Sequence, residues 1–106
     1  DFYEYLPKLF PHNPGMKEYY VGKEKFTYEA AMRNGSLQGA YFMLAARALG
    51  IDCGPMSGFN KKGVKEAFFP DKNVEVNFLC NLGYGDPESL FPRSPRFTFD
   101  DVCEII

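Results

Sequence analysis

Two short stretches hold the residue types from which a chemical site could be assembled. In PRSPR, Arg93 and Arg96 each carry a guanidinium group. Such planar forks suit a bidentate grip on phosphate oxygens, but bare arginines in a proline-rich arm are most often simply solvated. In GPMSGF, residues 54–59, the GP and SG dipeptides mark a bend. Pro55 fixes its entry, Gly54, Ser57 and Gly58 keep it free of bulk, and Met56 offers soft apolar surface. The same dipeptides also fit a plain connector between two helices.

The other reactive residue types form no constellation. Cys53, Cys80 and Cys103 are an odd set without a CxxC pair, and His12 stands alone in a proline-rich segment, so neither a disulfide framework nor a zinc site is indicated. Inert thiols in a reducing compartment fit this pattern, since a Cys–His nucleophile pair would need His12 to fold back onto a cysteine. Residues 83–85, GYG, lack the third glycine and following helix of a dinucleotide loop and fit the end of a strand.

Composition narrows the class. At 106 residues the chain is one domain at most, and at this size roughly two-thirds of the unfolded surface is expected to be buried. With 45% hydrophobic and 17% aromatic residues it is expected to form one packed unit with a modest core. A net charge of -2, with basic residues scattered among acidic ones, gives no footprint for nucleic acid. No stretch is long and apolar enough for a membrane span, and no signal segment opens the chain, so a cytoplasmic protein is expected. Asp1 in place of Met, followed by FYEYLPKLF, reads as the middle of a longer sequence.

Residues 1–22, broken by Pro7, Pro11 and Pro14, are expected to form an irregular aromatic loop. A helix is predicted from Thr27 to Leu49, with Ala30, Leu37, Ala40, Tyr41, Leu44 and Ala48 as its buried stripe and Gly50 as its stop. Gly35 and Gly39 within it call for compensation, most simply another helix packed close. Asn60 is expected to cap a short helix through Phe69, with Val64, Ala67 and Phe68 inward. Alternation over 74–82 predicts a strand. Beyond the GYGDP turn, SLFPRSPRF runs extended, and Thr98 with Asp101 resembles the capping box of a last short helix. Ile105 and Ile106 look too apolar to be left in water. A single strand cannot satisfy its own edges, so partners are expected from outside the sequence, either upstream residues or a second copy.

The run NGSLQGAYFMLAARALGIDCGPMSGFNKKGVKEAFFP, followed by NFLCNLGYGDPESLFPRSPRFTFDD, resembles the second half of nitroreductase-family proteins. It is most similar to their malonic semialdehyde reductase branch, and YEYLPKLFP fits that branch too. The resemblance covers nearly the whole chain. It implies an α+β fold in which residues 1–106 form a partial nitroreductase-like domain lacking the family's N-terminal half. It further implies an intertwined homodimer with FMN at the subunit interface.

Function follows from the same resemblance. The complete protein is expected to be an NAD(P)H oxidoreductase that passes hydride through flavin N5 to a small aldehyde or nitro compound. No catalytic side chain and no metal are called for. The cofactor-binding residues implied are Pro55, Met56, Ser57 and Gly58 beside the ring, and Arg93 and Arg96 at the phosphate. The alternative is a flavin-free structural or dimerisation fragment with no activity of its own.

Overall fold

The computed structural model describes residues 1–106. Residues 1–22 are not an irregular loop: 3-10 turns at Phe2–Tyr5 and Pro14–Tyr19 flank a short helix α1, Leu6–Leu9. Pro7 and Pro14 sit in the first turns of these elements, where a missing N–H costs no hydrogen bond, so the prolines shape this segment without unfolding it. Tyr3 and Tyr20 stack with ring centroids 6.3 Å apart, and Phe2 meets Tyr20 edge-on at 5.1 Å.

The long helix is present as α2, Glu24–Ala48, starting one turn earlier than its periodicity suggests. It ends as expected at Gly50, which adopts φ +79. Gly50 N–H donates to the Arg47 carbonyl and Ile51 N–H to that of Ala46, both at 3.0 Å, the paired bonds of a Schellman stop.

The reversed chain then enters β1, Asp52–Met56, which pairs antiparallel with β2, Leu79–Gly83. Two expectations are corrected here. The GPM part of GPMSGF is strand, not connector, and the orphan strand has its partner within the chain. The ladder runs from Asp52 opposite Gly83 to Met56 opposite Leu79. Residues 74–78 alternate as a strand should, yet no strand pairs with them, because β1 has ended. Between the strands lies α3, Lys61–Phe68, capped by Asn60 as expected. Val64 is half-buried there, whereas Ala67 and Phe68 are exposed.

Past β2 the chain makes a 3-10 turn, Pro87–Ser89, and runs without regular structure to α4, Phe99–Val102. The box at its start forms: Thr98 N–H and hydroxyl donate to the Asp101 carboxylate at 2.9 and 2.8 Å. Ile105 and Ile106 remain exposed.

The expected packed unit is not what the chain builds alone. Only Ala30 and Ala46 are buried. The radius of gyration is 18.4 Å, where a compact chain of this length would have about 13 Å. The predicted stripe on α2 is corrected as well: Ala30 faces inward, but Leu37, Tyr41 and Leu44 are 55%, 74% and 67% exposed. The side of α2 turned toward the rest of the chain carries Gly39, Met43 and Ala46 instead. No second helix approaches the glycines; the Phe78 ring is what lies against Gly39. No helix is long and apolar enough to cross a membrane.

Candidate functional site

The α2 stop delivers the chain directly into β1, so the helix end sets where Pro55 and Met56 lie. Pro55 stands opposite Cys80 and Met56 opposite Leu79, and Pro55 is tolerated because a two-stranded sheet has only edge strands. At Met56 the ladder ends. Phe59 N–H then donates to the Ser57 carbonyl at 3.1 Å, closing a tight bend, and Asn60 begins the next helix by accepting Gly63 N–H at 3.0 Å. Pro55, Met56, Ser57 and Gly58 are all exposed, and a side chain added at Gly58 would meet nothing within 4 Å. The result is a short backbone ledge, free of bulk, at the mouth of the strand pair.

Arg93 and Arg96 lie on the arm after β2, both exposed. Arg96 folds back on its own backbone, donating from Nη1 to the carbonyls of Ser94 and Pro95 at 2.9 and 3.0 Å. Arg93 has no carboxylate partner. The four ledge residues are thus contiguous and the two arginines share one arm, but no hydrogen bond or ion pair joins arm to ledge within the chain. One carboxylate does tie the surrounding elements together. Asp52 pairs with Arg47 at the end of α2 and accepts Gly85 N–H at 2.8 Å just past β2.

The thiols and the histidine stay apart. His12 packs against the Phe10 ring, centroids 3.8 Å apart, and bonds to no cysteine. Cys53 and Cys80 are half-buried where the strand pair meets α2, with Cys53 Sγ 3.9 Å from the Met43 carbonyl. Burial pushes the Cys53 thiol above its ordinary value, and neighbouring Cys80 adds to the shift. No group of three or more His, Cys, Asp and Glu side chains is placed to hold a metal ion.

A groove of about 780 Å³ lies elsewhere. It runs between the N-terminal turns and the first half of α2, with Tyr3, Tyr20, Tyr28, Met32 and Asn77 among its walls, and none of the expected site residues lines it. Its walls come from three segments distant in sequence, so no local motif marks it. The aromatic density of residues 1–28 was the available signal.

No protein-family model matches the chain. Individual proteins do. The chain is 61% identical over 106 residues to a "putative NADH dehydrogenase/NAD(P)H nitroreductase" of Polynucleobacter asymbioticus, covering 100% of this chain and 54% of that protein. A protein of the same description from Cupriavidus pinatubonensis is 55% identical over 98% of this chain and 54% of its own length. The chain therefore spans about half the length of the curated relatives it matches. Among solved structures, the crystal structure of the putative nitroreductase ydfN from Bacillus subtilis superposes with a TM-score of 0.84 at 26% identity, over 98% of this chain and 58% of that one. Together with the mixed helix and sheet fold, these likenesses support the nitroreductase family for this chain.

Proposed function

We propose that the chain is the ledge-and-arm portion of an FMN-dependent NAD(P)H oxidoreductase. The complete enzyme is a cytoplasmic homodimer reducing a small aldehyde, of the malonic semialdehyde kind, or a nitro compound. The observation that carries this reading is the similarity, over the whole chain, to a protein named as an NAD(P)H nitroreductase.

The residues present fit a flavin mononucleotide. Space is open above Gly58, so a flat ring can approach the backbone there without displacing a side chain. Met56, 41% exposed, offers polarizable surface beside it. Arg93 carries an unneutralised guanidinium of the kind that grips phosphate, and Arg96 needs to give up only hydrogen bonds to its own backbone to join it. When bound, FMN supplies a hydride acceptor and donor between NAD(P)H and the substrate. In this reading the work of the chain is binding and orientation: the ledge holds the ring edge through backbone groups, and the arm neutralises the phosphate.

A second copy is the proposed cover for the exposed side of α2. Leu37, Tyr41 and Leu44 repeat at helical spacing on a face that the chain leaves open, and Phe91 on the arm is 95% exposed.

Purified protein that keeps flavin absorbance through desalting is the expected result, with affinity for FMN falling on Arg93→Ala. NADPH or NADH oxidation with malonic semialdehyde against a nitroaromatic then distinguishes the substrates, and indifference to the aldehyde removes that part of the reading. The second reading is a flavin-free dimerisation fragment. The near absence of a private core favours it, and colourless protein unchanged by added FMN leaves it standing alone.

A further inference from the structure

Asp52 opens β1, and its carboxylate engages two other parts of the chain. Oδ1 pairs with Arg47 Nη1 in the last turn of α2, while Oδ2 accepts Gly85 N–H at 2.8 Å. Asp52 and Gly83 are the last pair of the strand ladder, so backbone pairing no longer guides the chain beyond Gly83. The next restraint is the bond from Gly85 to Asp52. The fit there is close: a Cβ at Gly85 would stand 3.2 Å from Asp52 Oδ2 and 3.4 Å from Leu90 Cδ1. After this point Asp86 organises only a local turn, accepting from Glu88 N–H and Ser89 Oγ. The arm then runs without regular structure through Arg93 and Arg96.

We propose that Asp52 is a positioning residue for the phosphate-gripping arm: through Gly85 it fixes the direction in which that arm leaves the sheet. Three residues further along the same strand the Pro55–Gly58 ledge begins, so a single side chain relates the ledge to the arm. Asp52 itself touches no phosphate. The arm-directing role stands on the geometry alone, whereas its value for phosphate binding rests on the FMN reading above.

Three substitutions in the purified protein separate this role from a plain helix-to-strand clamp. Asp52→Ala removes both bonds, Arg47→Ala removes only the ion pair, and Asp52→Asn keeps an oxygen able to accept from Gly85. Asp52→Ala is expected to speed hydrogen exchange at the Gly85 amide by about tenfold or more, because a hydrogen bond to a charged acceptor is lost. It should also speed trypsin cleavage after Arg93 and Arg96, which are exposed already, and weaken FMN binding by a similar factor. Arg47→Ala should leave FMN affinity within about twofold, as an exposed substitution does. Asp52→Asn should bring Gly85 exchange and trypsin cleavage most of the way back to the parent rates.

Fast Gly85 exchange in the unsubstituted protein overturns the proposal, as does an Arg47→Ala variant that loses FMN as severely as Asp52→Ala. If the unsubstituted protein binds no FMN at all, the proposed function fails, and the exchange and trypsin measurements still decide whether Asp52 directs the arm.

Discussion

The ring of Phe78 occupies the space in which a side chain at Gly39 would begin. Helix α2 therefore carries a glycine in its interior for a reason that lies outside the helix, in the segment that leads into β2. At Gly35, by contrast, an added Cβ would meet Asn77 Nδ2 at an ordinary 3.7 Å. The two glycines should respond in opposite directions. Gly35→Ala is expected to stabilise the protein by about 0.5–1 kcal/mol through helix propensity. Gly39→Ala should destabilise it by about 1–3 kcal/mol, because overpacking outweighs that gain. Denaturant unfolding of both variants checks this, and a Gly39→Ala protein as stable as the parent removes the Phe78 contact from the account.

Asn60 offers a second measurement. Its side chain accepts Gly63 N–H, and no acid stands in the first turn of α3 to help. Asn60→Ala should cost about 1 kcal/mol. Faster exchange at the Gly63 amide should accompany the loss, and an unchanged Gly63 amide would show that the cap contributes nothing.

The three thiols should differ in reactivity. Cys103 is exposed beside α4, whereas Cys53 is half-buried and its thiol is held above its ordinary value by burial and by Cys80. Because the thiolate is the attacking species, alkylation near pH 8 should label Cys103 first and Cys53 last. Peptide mapping against time reads the order. Early labelling of Cys53 would mean that the contact between the strand pair and α2 opens readily.

Asp101 gives a pH dependence of known sign. The Thr98 hydroxyl and then its backbone N–H, both donating to the carboxylate, hold Asp101 below the ordinary aspartate value. The folded form thus favours the ionised group. Its contribution to α4 is fully present above the unfolded value of about 4 and is lost as pH falls through the lower folded value. The Thr98 amide resonance should follow that titration, and in Asp101→Asn it should be flat over the same range.

Sequence reasoning read the elements whose signals are local. Asn60 before an amphipathic turn, Thr98 three residues before Asp101 and Gly50 after a long helical run each mark a boundary through backbone groups close in sequence. β1 escaped because DCGPM contains a glycine and a proline, and these disguise a strand whose only ladder lies along one edge. The strand at 74–82 was overextended for the complementary reason: alternation states which face is apolar, but pairing needs a neighbour, and β1 reaches only to Leu79. The inward side of α2 was misjudged in the same way. Leu37, Tyr41 and Leu44 form the more apolar stripe, yet this chain lays Gly39, Met43 and Ala46 against its own strands. For the candidate site, GPMSGF and PRSPR were legible as residue types. The bond between Gly85 and Asp52, on which their proposed relation rests, was not, since it joins positions far apart in sequence.

Of eleven phenylalanines and seven tyrosines, none is shielded by the chain's own atoms as fully as Ala30 and Ala46 are. On the homodimer reading proposed above, acquiring structure and acquiring a cover are one equilibrium for this chain. Its melting temperature should climb with protein concentration, and dilution alone should loosen it. Positions that look like surface, Tyr41 and Leu44 above all, should tolerate polar replacements as poorly as interior positions do elsewhere.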